Sequence, residues 1–202
     1  MTSVDSLIEK GFNFYDPSQN TGNLKIEPKK YYLGHICDTV VKEVAVKGKY
    51  KAKVYNFKVE LAGGDRKYDC KDPETQDTKT LDANSFKGRK IRSQGVFQFL
   101  VPKNGDDFEA NSGGNDRYLA LCHAVGAKAD EIQIEIDGEQ RNVTTFPDLN
   151  AEDLNGKPID CYLDIVKWKN QEGNFVSSIN AKAFKSWEDG KARDYELEDI
   201  PF

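Results

Sequence analysis

Nucleophilic and metal chemistry would fall first to four cysteines, Cys37, Cys70, Cys122 and Cys161, and to two histidines, His35 and His123. A zinc knuckle or redox pair needs cysteines two to four residues apart, and these lie far apart. Cys37, Cys122 and Cys161 sit among apolar residues and read as small core hydrophobes with free thiols. Cys122 and His123 are adjacent, but neighbouring positions on a helix point roughly 100° apart, so they form no Cys–His dyad. Gly63-Gly64 and Gly113-Gly114 lack the Lys-Ser/Thr of a phosphate loop. The stretch "PKNGDDFEANSGGND" is acidic without the spacing of a calcium loop. Asp160 and Asp164 alternate around Tyr162 and read as solvated acids. The expectation is no cofactor, no metal and no enzyme.

Cations interleaved with rings carry a different chemistry. Binding single-stranded nucleic acid takes cations along the phosphates and ring faces for the bases. Lys47, Lys49, Tyr50, Lys51 and Lys53 surround Gly48. Lys87, Arg89, Lys90 and Arg92 cluster further on, and Lys167, Trp168, Lys169, Phe175, Lys182 and Trp187 lie near the end. Tyr50, Trp168, Phe175 and Trp187 sit by turns or charges and are the rings a core explains least, whereas Phe57 and Phe97 are expected inside. Lysines on strand edges also serve simply to prevent aggregation. A net charge of −5 argues at first against a polyanionic partner, but it averages a basic body with an acidic end.

The elements that must position these residues are mostly strands. Tyr31–Val46 and Tyr50–Leu61 are rich in β-branched and aromatic residues on either side of a glycine turn, a hairpin. Residues 62–85 and 102–116 read as loops. Between them, Lys90–Val101 reads as one strand with Gly95 as a bulge or bend. Its alternation sends Ile91, Phe97, Phe99 and Val101 to one face, and Lys90, Arg92, Gln94 and Gln98 to the other. Asp116 is placed to cap a helix with a Tyr118, Leu121, Cys122, Val125 stripe, closed by Gly126. A small hairpin about Asp137-Gly138, a turn capped by Asn150, and strands Ile159–Trp168 and Phe175–Phe184 complete the chain. The fold class expected is mainly β: an OB-type five-stranded barrel with one helix between strands three and four, plus loop insertions and an acidic C-terminal tail. An open sandwich is the alternative. The expected organisation is an arm over 1–30 with a short helix at Val4–Lys10, a binding domain over 31–187 and a tail over 188–202. The start has neither a basic region nor an apolar run, so no secretory signal is expected and the cytoplasm is the expected location.

The chain closes on "LEDIPF". Acids followed by Ile-Pro-Phe suit a pocket that is apolar inside and basic at its rim. This ending resembles the extreme C-terminus of bacterial single-stranded-DNA-binding proteins. The body resembles phage-encoded single-stranded-DNA-binding proteins, through "VVKEVAVKGKYKAKVYNFKVEL", "FKGRKIRSQGVFQFL", "LCHAVGA", "DLNAEDLNGKPIDCYLDIVKW" and "DIPF" in that order, over roughly residues 31–202. The stretches 62–85, 102–116 and 127–147 depart from that pattern. The resemblance implies a non-enzymatic protein that coats single-stranded DNA in replication or recombination, in a host bacterial cytoplasm. It implies that Glu196, Glu198, Asp199, Ile200, Pro201 and Phe202 recruit replication or recombination proteins of the polymerase, helicase or primase class. Homo-oligomers are left open, and no membrane partner is expected. The rival readings are an interaction module using the same tail without DNA, and a metal-dependent nuclease using scattered acids.

Overall fold

The computed structural model describes residues 26–46, 50–71, 77–103, 105, 107–111, 113–129, 131–136, 138–170 and 172–195. The expected helix at Val4–Lys10, Lys47, Lys49 and the terminal Glu196–Phe202 lie outside them.

The chain is mainly β, as expected. The first hairpin pairs β1 (Lys30–Val46) with β2 (Tyr50–Leu61). Tyr55, Phe57, Val59 and Leu61 alternate inward from β2 because period-two apolar spacing puts them on one face. The expected third strand is two pieces, β5 (Lys90–Arg92) and β6 (Val96–Pro102), and both pair with β2. β10 (Pro158–Lys169) pairs with β1, and β11 (Phe175–Ser186) pairs with β10. The sheet order is β11-β10-β1-β2-β6-β7, where β7 is Phe108–Ala110, with β5 beside β6 on β2. A single parallel bridge, Ser93 to Ala181, links the two sides of this path. Among the described residues no helix is long and apolar enough to cross a membrane.

Both expected loops contain strands. β3 (Lys67–Lys71) and β4 (Thr78–Asp82) pair within 62–85, followed by a 3-10 turn over Ala83–Phe86. Tyr68 and Cys70 supply the reason, since both alternate into the core between charged neighbours. Tyr68 stacks on Tyr32 at 4.2 Å and meets Phe86 edge-on at 5.9 Å; such pairs add about 0.5–1.5 kcal/mol each beyond burial. In the second loop, β7 (Phe108–Ala110) pairs with β6.

Helix α1 (Asp116–Ala124) buries Tyr118, Leu121 and Cys122 as its spacing requires, and Val125 packs partly against the core. Its N-cap is Asn115 rather than the expected Asp116, which is the first helical residue; the Asn115 side chain makes no capping hydrogen bond because it bonds the Phe99 and Asn111 backbone instead. The small hairpin is β8 (Glu131–Ile136) with β9 (Glu139–Thr144), turned at Gly138 with φ +80°. Helix α2 (Ala151–Leu154) opens with a reciprocal capping box between Asn150 and Asp153.

Three one-residue bulges bend the sheet. From Cys37 to Val40, β1 advances three residues while β2 advances two, and Asp38 takes φ +52°. From Val59–Ile91 to Tyr55–Val96, β2 advances four residues while its partner advances five. The third bulge, in β11, falls opposite Tyr162–Leu163 and turns out Lys182, which pairs with Asp164. Each extra residue reverses which side chains face inward beyond it. Gly95 makes the second possible, with φ +50°. Replacing Gly95 with Ala forces a Cβ into a left-handed residue, 3.2 Å from Asn56 Oδ1. Stability measured by urea denaturation is expected to fall by about 1–2 kcal/mol.

Candidate nucleic-acid interface

The bulge at Gly95 decides what the outer sheet face carries. Before it, Ile91 faces inward and Lys90 and Arg92 face out. Beyond it, Val96 and Gln98 are buried and Phe97 is 39% exposed. Phe97 therefore does not join the core, and Gln98 does not face solvent. Inside, Gln98 is satisfied by the Tyr55 hydroxyl, which donates to Oε1 at 3.1 Å. Outside, Phe97 and Phe99 lie parallel, with ring centroids 5.6 Å apart and planes 11° apart. Lys90 and Arg92, expected opposite these rings, share their face.

Strand register completes this face. Phe99 is opposite Ala52, Phe97 opposite Val54, Arg92 opposite Lys58 and Lys90 opposite Glu60. On the far side of β2, Lys42 stands opposite Val54 and Val44 opposite Ala52. Tyr50 has the same parity and is 42% exposed. Ala52 and Val54, buried beneath these neighbours, form the floor. Rings thus occupy one half of the face, with Lys42 in the Phe97 row, and Lys58, Lys90 and Arg92 occupy the other. Val54 and Lys58 are four residues apart, about 13 Å along the strand.

Two side chains at the start of α1 hold the rings from behind. Asn115 is fully buried; its Oδ1 accepts from Phe99 N–H at 2.7 Å, and its Nδ2 donates to Phe99 C=O at 3.1 Å. It completes the β-ladder that a backbone would otherwise supply. Arg117 Nη1 donates to the carbonyls of Gln94 and Gly95 at 3.2 and 3.1 Å, pinning the bulge. Its guanidinium lies 5.9 Å from the Phe184 ring, and burial lowers its pKa.

Several cations on the face are already engaged. Asp38 binds Lys58 at 2.8 Å and Lys90 at 3.5 Å. The hydrogen bond from Lys58 holds the Asp38 carboxyl below its usual range, against the opposing effect of burial. Glu60 is bound by Arg193 at 2.6 Å. Lys42 and Arg92 are exposed and make no ion pair among the described residues.

The other expected site residues lie apart. Lys51 and Lys53 point to the opposite sheet face from Tyr50. Lys51 sits 4.5 Å from the Phe108 ring, and Lys53 binds Asp148 at 2.6 Å in a groove of about 680 Å³ beneath β8. Lys87 is exposed after the 3-10 turn, and Arg89 lies 5.4 Å from the Phe86 ring. Lys167, Lys169 and Phe175 share one face of the last hairpin and Trp168 the other. That hairpin runs on past Lys30, the opposite end of β1 from the first hairpin's turn. Trp187 is half-buried against His35, with centroids 5.3 Å apart. The expected constellation therefore divides among two hairpin ends, one central face, the 3-10 turn with Lys87 and Arg89, and Trp187 beside His35. Sequence alternation could have found Phe97 and Phe99 only if the parity change at Gly95 had been carried through.

The chain also stays docked beyond the expected domain end at 187. Lys191 C=O meets His35 Nε2 at 3.0 Å, and Arg193 N–H donates to Gly156 C=O at 3.0 Å. At the other end, Ile26 is buried, so the packed body begins before residue 31.

All four cysteines are free and buried. Desolvation pushes the Cys37 thiol up to about 11 and that of Cys161 up to about 12. Both stay protonated at neutral pH, the poorly nucleophilic form. Among the described residues no three His, Cys, Asp or Glu side chains group closely enough to hold a metal ion.

Comparison with protein-family models, with curated proteins and with solved structures gives no match to this chain.

Asn115→Ala leaves the Phe99 N–H without its acceptor, at a cost of about 1–3 kcal/mol for a buried group. Urea denaturation is expected to register that loss, and amide hydrogen exchange at Phe99 is expected to accelerate.

Proposed function

We propose that this chain is a non-enzymatic single-stranded-DNA-binding protein acting in replication or recombination, of the phage-encoded kind its sequence resembles. The observation that carries the reading is the parallel, outward-facing Phe97–Phe99 pair beside Tyr50, on the face that also carries Arg92, Lys58, Lys90 and Lys42. Rings offer bases a stacking surface of any sequence, and cations follow the phosphates.

The reading takes the body as an OB-type barrel. Three features support it. β1 is shared between β2 and β10, α1 lies between the third strand and β10, and the Ser93–Ala181 bridge runs parallel between third and last strands. Bases would then lie across the outer face of β1, β2 and β6, as OB folds use theirs. Lys47 and Lys49, which lie between β1 and β2 in the sequence, would add positive charge for the phosphates. The acids and Ile-Pro-Phe at 196–202 would recruit replication enzymes in the host cytoplasm.

The test is a titration of labelled oligo-dT by fluorescence anisotropy, with duplex DNA and RNA of equal length alongside. Binding is expected to weaken as salt rises. Phe97→Ala and Phe99→Ala should each cost about 1–3 kcal/mol, roughly 5- to 150-fold in affinity, with the salt slope unchanged. Arg92→Ala should lower that slope by about one. Absence of binding at low salt, or unchanged affinity in both phenylalanine variants, would defeat the proposal.

A further inference from the structure

β11 is the outer edge of the main sheet. On its inner side it pairs with β10 in register Trp168–Val176, Lys167–Ser177, Val166–Ser178 and Ile165–Ile179. Asn170 N–H donates to Asn174 C=O at 2.9 Å and starts this ladder. Antiparallel alternation then turns the backbone groups of Val176 and Ser178 toward β10, and those of Phe175, Ser177 and Ile179 outward. Ala181 follows the same phase, and its outward C=O accepts from Gln94 N–H at 3.0 Å. Between Phe175 and Ile179 no described residue pairs with the outer edge.

Natural edge strands are blunted by lysine, proline, a bulge or brevity. "FVSSI" over 175–179 has no charge and no proline, and the bulge with Lys182 comes only after it. Apolar exposure concentrates here as well. Phe175 is 76% exposed, and Ile165 and Trp168 are 44% and 45% exposed. Lys167, Phe175, Val176 and Ser177 line a concavity of about 470 Å³ on this hairpin.

We propose that β11 pairs antiparallel with β11 of a second copy, about a two-fold axis through Ser177. The stretch is self-complementary in that register. Outward backbone groups face outward backbone groups at Ser177–Ser177 and at both Phe175–Ile179 pairs. On one face, Phe175 of each copy lies against Ile179 of the other, beside Ile165. On the other face, Val176 of each lies against Ser178, flanked by Trp168 and Val166. No acid or lysine of β11 meets a like charge across the axis, and the two Lys167 side chains stand outside the central pair. The contact is isologous, so it closes as a dimer and uses up the β11 edge of both copies. Nucleic acid has no amide repeat with which to complete such a ladder.

The dimer is independent of the nucleic-acid reading, and the test uses the full chain without DNA. Sedimentation velocity across the micromolar range is expected to give twice the 22.8 kDa chain mass. Ser177 is exposed, so charge is tolerated there in the monomer. Ser177→Lys and Ser177→Glu each place like charges face to face across the axis and should each sediment as monomers. Their equimolar mixture should restore the dimer, because opposite charges then meet. A monomeric wild-type chain, a dimer that survives either single substitution, or a mixture that stays monomeric overturns the proposal.

Discussion

One extra residue in the third strand determines what this protein shows to its surroundings. A strand sends alternate side chains to opposite faces, so inserting one residue exchanges inside for outside from that point on. Gly95, at φ +50°, is where the exchange occurs. Without it, Phe97 and Phe99 would join the core and Gln98 would face water. With it, two rings stand outside on the same face as Arg92 and Lys90, and a buried glutamine needs a partner, which Tyr55 provides. The arrangement is maintained from behind by α1. Asn115 bonds both backbone groups of Phe99 where the β6–β7 ladder ends, and Arg117 ties down the carbonyls of the bulge.

Charge on this face is balanced rather than simply positive. Asp38 holds Lys58 and Lys90 in place, and Arg193 neutralises Glu60. Exposed pairs of this kind contribute little to stability. Their effect is on geometry: the cations are held near the sheet surface instead of sampling solvent. A polyanion that approached would compete with Asp38 for its two lysines. Salt would act both on that competition and on the contacts formed. The net charge of −5 is thus no guide to this face, because the acids that set it lie elsewhere or are already paired.

Local signals in the sequence were enough for much of this architecture. Alternation in Tyr50–Leu61 marks β2, the Tyr118–Leu121–Cys122 stripe marks α1, and Gly138 and Asn150 mark a turn and a cap. What escaped depends on contacts distant in sequence. Tyr68 and Cys70 sit among charges, and their burial is decided by Tyr32 and Phe86. Trp187 looks exposed until His35 is placed beside it. Gly95 was legible as a bulge, but its consequence for Phe97 requires the register with β2. The face proposed to bind DNA is the element least visible in the sequence, since its rings and cations share a face only after that shift.

The central claim is that bases lie on the outer face of β1, β2 and β6, with Phe97 and Phe99 beneath them. Photocrosslinking with an iodouracil-substituted oligonucleotide, read by mass spectrometry of the digested adduct, tests this at residue level. The account predicts adducts at Phe97, Phe99 and Tyr50. Adducts confined to Trp168 and Phe175 on the last hairpin, with none on the central face, would contradict it.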